Sequence, residues 1–384
     1  MSAAETLDVA RSRLNRLAHG GWDSFAYRRR AIRELRAVVA FDAVWWWTID
    51  PASTFFTSGV FEPSPDNHDI CGGLHGNEIS EQDFNKFRVL AHGADRVGVL
   101  SAATGGYLER SNRYRNMLAP LGYAHELRLA LSDGAALWGG IALLRMPSGL
   151  DFSPVEAQRA AALGPTLTHG LRIGIALGPA SVDCPPGGPG MLIVDDELNI
   201  LTMTSNADSW LGELADGSLG LPDAVRSAVE HVKALGAGDP GKGRVPRARV
   251  RGRSGKWLAI YASRTRDGNG PSSNLAVIIE EATPSEIAPL IVSAYGLSGR
   301  EARVTRLVLQ GRTSREIAAE LYLSVHTVND HLKTIYGKVG VHSRQELTAT
   351  IFEQHHWPRF GFGEHPPEPD GAISGIHQAR TPGT

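Results

Sequence analysis

Cysteine is almost absent from this chain: Cys71 and Cys184 are the only two in 384 residues. Two thiols cannot build a disulfide framework or a four-thiolate zinc site, and they fit a reducing compartment. Long hydrophobic runs are missing as well. No stretch approaches the roughly 18–20 apolar residues that cross a bilayer, and the N-terminus MSAAETLDVARSRLNRL is charged, without an apolar signal core. Neither sign of charge dominates. Lys and Arg number 39 against 41 Asp and Glu, a net charge of −2, so nucleic-acid binding would have to come from a local basic surface. The charged share of 21% and hydrophobic share of 42% are ordinary globular values and exclude wholesale disorder or a coiled-coil rod. A cytoplasmic protein that does not engage a membrane is expected. At roughly 100–200 residues per domain, it holds two or three domains.

Catalytic motifs are also missing. There is no Gly-x-Ser-x-Gly elbow, no Cys/His nucleophile arrangement and no His-Glu-x-x-His spacing. The run from Gly236 to Gly243 has P-loop-like spacing, but it follows a helical pattern and leads into a strand, so no helix N-terminus awaits a phosphate. Val194-Asp-Asp-Glu197 looks like the opening of a phosphoreceiver, yet no acceptor Asp on a buried strand follows it. No enzyme activity, metal or cofactor is expected.

What is present falls into blocks. Leu7, Ala10, Leu14 and Leu17 recur at helical spacing, as do Ile32, Leu35, Val38 and Val39 after a Gly20-Gly21 break. Residues 43–49, with Trp45-Trp46-Trp47, read as a strand. Alternating Leu127, Leu129 and Leu131, a turn at 132–134 and the apolar run 137–144 read as a hairpin. Ser153-Pro154-x-Glu156 then caps a long helix. A Pro/Gly-rich linker is expected at 181–190. A second α+β unit covers 191–282, with strands at 191–194, 245–250, 257–262 and 275–280 and a helix over 222–235. Arg247, Arg249, Arg251 and Arg253 alternate and therefore share one strand face. A solvated outer face is the expectation, with an anionic ligand, DNA backbone contact or docking against an acidic partner as alternatives. Residues 283–292 read as a connector, and 357–384, rich in Pro and Gly without periodicity, as a disordered tail.

The segment 298–354 is heavily punctuated. Ser298-x-x-Glu301, Thr313-x-x-Glu316 and Ser343-x-x-Glu346 are three capping boxes. Ser324 can cap a further helix, on which Val325, Val328, Leu332, Ile335 and Val339 form one buried stripe. Two of these helices are separated only by Tyr322, Leu323 and Ser324, the short connection of a helix-turn-helix. The opposite face of the second carries His326, Thr327, Asn329, Asp330, Lys333 and Thr334, groups able to read base edges. Arg312, Arg315, Lys338 and Arg344 flank the motif as phosphate contacts, with Ser314, Ser324 and His326 beside them.

Leu297-Ser-x-Arg-Glu301, Gly311-x-Thr-Ser-x-Glu-Ile-Ala318, Leu323-Ser-x-x-Thr-Val328, Lys338-x-Gly-Val341 and Ser343-Arg344 resemble the LuxR-type helix-turn-helix. The resemblance covers 293–356 and puts the turn motif on 313–332. It implies a four-helix all-α DNA-binding domain with base-reading positions at Asn329, Asp330 and Lys333, beside Thr327. It also implies dimerisation through the last helix, with Leu347 and Ile351. The family usually has a basic residue where this chain has Asn329, which implies a different half-site. Residues 21–180, after an N-terminal helix over 1–20, resemble a GAF domain. That resemblance implies a ligand pocket on one side of a sheet, with Trp45, Trp47, Phe55 and Tyr107 as its candidate lining. Residues 191–282 resemble a PAS-type fold. The fold class is therefore multidomain, with two α+β sensory-type domains and a C-terminal helical domain. The expected function is a one-component transcriptional regulator. It would bind double-stranded DNA at inverted half-sites as a homodimer, under an unidentified small-molecule effector or protein partner. The alternatives are a scaffold protein that binds DNA without sequence preference and a sensor that turns over a small molecule.

Overall fold

The computed structural model describes residues 3–63, 69–134, 136–177, 187–214, 220–235, 247–267 and 270–355. The expected tail and most of the expected linker lie outside these residues, as does the 236–246 run. The chain opens with α1 (Ala3–Ala18) and α2 (Ser24–Val38), followed by β1 (Ala43–Ile49) and β2 (Phe56–Glu62). Next come α3 (Asp69–Ile79), α4 (Phe87–Leu90), β3 (Val97–Val99) and α5 (Leu100–Thr104). The hairpin β4 (His125–Asp133) and β5 (Ala136–Arg145) then leads into α6 (Pro154–Ala176). The five strands form one antiparallel sheet in the order β2-β1-β5-β4-β3.

Period-two alternation sends the Trp triplet to both faces of this sheet. Trp46 joins Leu127, Leu129, Ile141 and Leu143 under α1, α2 and α6, whereas Trp45 and Trp47 join Phe56, Leu74, Phe87 and Met117 under the short helices. Gly140 is required at the centre of the second face, because a Cβ there would lie 2.6 Å from the Phe87 ring.

The second unit has β6 (Gly190–Val194), β7 (Ile200–Met203), α7 (Ser205–Leu214), α8 (Asp223–Ala234), β8 (Ala248–Arg251), β9 (Trp257–Asp267) and β10 (Gly270–Glu281). Its sheet runs β7-β6-β10-β9-β8, antiparallel throughout. Asp195 and its neighbours are the β6–β7 turn, with the carboxylate accepting from the Glu197 and Asn199 amides at 3.0 and 2.8 Å. Helix α8 is buried on every side from Asp223 to Glu230 because it lies between its own sheet and the α3 and β2 elements of the first unit.

The arginine stripe is a solvated outer face only at its two ends. Arg247 pairs with Glu280 and Glu286. Arg249 grips Asp50 of the first unit, which is 0% exposed, through Nη2–Oδ1 at 2.6 Å and Nε–Oδ2 at 3.0 Å, and it also donates to the Glu286 carbonyl. Arg251 donates to the carbonyl of Ala176 at the end of α6, and burial pushes its guanidinium down to about 10. Arg247 and Arg253 stay exposed. Arg249 and Arg251 therefore dock this sheet onto the other unit. Sequence periodicity gives a shared face but not what covers it.

The stretch read as a connector is a helix, α9 (Pro284–Ala294), because Thr283-Pro-Ser-Glu286 is itself a capping box with Pro at its start. The C-terminal helices are α10 (Gly299–Leu309), α11 (Ser314–Leu321), α12 (Val325–Val339) and α13 (Arg344–His355). Ile287, Leu290, Ile291 and Ala294 of α9 and then Leu297 link their core to Leu171 and Ala176 of α6 in one continuous apolar cluster.

Candidate nucleic-acid interface

Three local devices set the geometry of α11 and α12. The Thr313 hydroxyl accepts from the Glu316 amide at 3.3 Å, while the Glu316 carboxylate takes the Thr313 amide at 2.7 Å. Ser324 Oγ accepts from the Thr327 amide at 3.0 Å and starts α12. Between them, Tyr322 adopts φ 54°, a left-handed conformation that reverses the chain within one residue, and the Leu323 amide bonds back to the Ala318 carbonyl. Val328, Leu332 and Ile335 seat α12 against Val304, Leu307, Ile317 and Leu321.

That seating turns Asn329, Asp330 and Lys333 to solvent, with Thr327 half-buried at the helix start. Asp330 lies between the His326 imidazole, Nδ1 at 3.4 Å, and the Lys333 ammonium, Nζ at 3.9 Å. The Lys333 and His326 side chains are 78% and 85% exposed, so the pairs are weak and broken cheaply. Among the described residues, the ion pairs of this face all lie within α12 itself. The base-facing candidates thus share one open surface.

The phosphate candidates divide. Arg312 and Arg315 are exposed, Ser314 lies at the start of α11, and the Arg312 guanidinium is 3.9 Å from the Glu316 carboxylate. Ser324 is occupied as a cap. Arg344 donates to the Arg312 carbonyl and so braces α13 against the α10–α11 turn. The Lys338 ammonium is bound to the Glu301 carboxylate at 2.6 Å and the Gly296 carbonyl at 2.9 Å. Burial pushes the Glu301 carboxyl up, but Lys338 and the Ser298 cap outweigh it and hold it below the ordinary value. Leu347 is 0% and Ile351 5% exposed, packed into the domain's own core. A dimer contact through α13 would have to use its other faces.

The four candidate pocket residues of the first unit do not converge. Trp45 and Trp47 pack edge-on at 6.2 Å within the covered face. Phe55 belongs to the core of the second unit, and Tyr107 is 70% exposed. Tyr322, in the connection between α11 and α12, is 95% exposed beside the start of α12.

Residues 296–351 match the family described as bacterial regulatory proteins, luxR family. The spore germination protein GerE of Bacillus subtilis is 40% identical over 55 residues, which are 14% of this chain and 74% of GerE. The chain belongs to the LuxR family. The Fimbriae Z protein of Escherichia coli K12 is 47% identical over 59 residues, and a nitrate/nitrite response regulator homolog of Haemophilus influenzae is 40% identical over 58. Each of these matches takes in 15% of this chain and 28% of the relative. The LuxR likeness is therefore carried by α10 to α13, and the two sheet-bearing units lie outside it.

Proposed function

We propose that this LuxR-family chain is a sequence-specific DNA-binding transcriptional regulator whose two sheet-bearing units, GAF-like and PAS-like, act as sensory domains. The observation that carries the reading is the open outer face of α12, with Asn329, Asp330 and Lys333 exposed on a helix seated by a capped turn. In this reading α12 enters the major groove, and Lys333 and Asn329 meet base edges while Asp330 accepts from a cytosine amino group. Arg312, Arg315 and the start of α11 hold phosphates, with Tyr322 beside them, and Lys338 braces the fold instead. Two copies read inverted half-sites about one helical turn apart. Because the reading face is open, the upstream units regulate by setting how two copies are arranged, through α6 and α9. An effector achieves this only by differential affinity for the two arrangements.

The test is selection of random duplex DNA by the full chain, followed by titration in rising salt. Enrichment of an inverted repeat with steep salt dependence is expected. Salt-sensitive binding without enrichment would replace this reading with that of a non-specific DNA-binding scaffold.

A further inference from the structure

A cleft of about 230 Å³ opens between the two sheet-bearing units. Ile49, Phe56, Phe87 and Leu137 of the first unit form one wall, and His231 and Leu235 of α8 form the other. Phe55 and the His231 ring, whose centroids are 5.0 Å apart, close it where the units meet. Burial pushes the His231 imidazole pKa down, so that side of the cleft is uncharged at neutral pH. A dry cavity of roughly 150 Å³ holds one benzene ring, so this cleft has room for a ring and a substituent.

Behind the inner wall lies a second, independent feature. Arg128 is buried over the face of Phe87, with its guanidinium carbon 3.7 Å from the ring centroid, and it is paired through Nη1 with Glu78, which also lines the cleft. Among the described residues, its Nη2 and its Nε, which lies 3.7 Å from Glu126 Oε1, make no hydrogen bond, nor do Trp47 Nε1 and Asn85 Nδ2. Each of these atoms is a donor, and buried donors left unmade cost roughly 1–3 kcal/mol apiece. Charge near them is already balanced. The buried cations Arg113, Arg128 and Lys86 face Glu78, Glu126 and Asp83. An added ion would be buried without a counter-charge, which is costly, whereas an uncharged acceptor would satisfy donors at no such cost. Arg88, at the rim, is exposed to solvent.

We propose that this inter-unit cleft binds a small, flat, uncharged molecule that carries a carbonyl-type acceptor. Its ring lies among Phe55, Phe56 and His231. Its acceptor reaches the Arg128 and Trp47 donors when Phe87, on the four-residue α4, swings aside. Because the molecule touches both units at once, it stabilises one arrangement of the second unit on the first. Its regulatory consequence rests on the sensory reading above; its binding does not.

The probe is 4-(dimethylamino)acetophenone, an uncharged one-ring aromatic ketone, titrated into the full chain by calorimetry. Saturable one-to-one binding is expected. The analogue without the acetyl group, N,N-dimethylaniline, and the 4-(dimethylamino)benzoate anion should each bind at least tenfold more weakly. Ala234→Trp, an exposed α8 position at the cleft edge, should weaken the ketone at least tenfold and leave the thermal unfolding curve in place. Equal binding of the anion, or affinity unchanged by A234W, would overturn the proposal. DNA binding is followed on the same samples. Lost ketone binding with intact DNA selectivity sinks the site alone, and ketone binding without any effect on DNA affinity upholds the site while removing its sensory role.

Discussion

The two sheets share one strand order yet bury opposite chemistry. The face of the first under its short helices carries Trp45, Trp47, Glu126 and Arg128, with Arg113 and Glu78 packed onto it. That of the second is aliphatic: Leu192, Val194, Leu258, Ile260, Leu275, Val277 and Ile279 under Trp210 and α8. One topology thus supports a polar interior and an aliphatic one. The difference lies in side chains at equivalent alternating positions, not in backbone.

The largest test of that contrast is Arg128→Met. Leaving Glu78 buried without its cation should cost about 3–5 kcal/mol in urea unfolding, and adding Glu78→Met should recover much of it. Ile260→Ala in the second sheet should cost about 2–5 kcal/mol through a cavity, with no charge substitution able to rescue it. A rescue pattern common to both sheets would erase the distinction.

Next in size is the join between the units. Asp50→Asn removes the charge that holds Arg249 and should cost about 1.5–3 kcal/mol. Unfolding followed by Trp fluorescence should broaden as the units uncouple. A sharp, unshifted transition would show that the stripe only decorates the junction.

Lys333→Ala should cost about 1–3 kcal/mol on the selected DNA site and little elsewhere, by fluorescence anisotropy. Lys338→Ala should instead lower thermal stability, because its ammonium serves Glu301. The Glu301 carboxyl is held below its unfolded value of about 4.3. The stability it contributes is fully present above that value and is lost as pH falls through the lower folded one. Glu301→Gln should flatten that acid limb in denaturant titrations. The smallest effect is of opposite sign. Tyr322→Gly relieves a left-handed backbone and should stabilise the helical domain by about 1 kcal/mol, while weakening DNA binding if the exposed ring meets the backbone of the duplex.

The helical C-terminal domain was largely legible in the chain. Its caps, turn and apolar stripe are local, within four residues of one another, and local hydrogen bonds and 3.6-residue periodicity act without distant partners. Helix α9 was written in the same code at Thr283–Glu286 and was passed over beside Pro289. The hairpin and the Trp strand were also readable, because alternation records two buried faces. The sequence by itself determined the C-terminal helices α10 to α13, the polar outer face of α12 and the membership of the chain in the LuxR family. Only tertiary structure decided that Arg249 meets Asp50, that Phe55 belongs to the second unit, that Lys338 and Leu347 turn inward, and that unpaired donors gather around Phe87. Those contacts join residues tens to hundreds of positions apart. Their energy comes from burial and charge pairing that exist only after the units have packed.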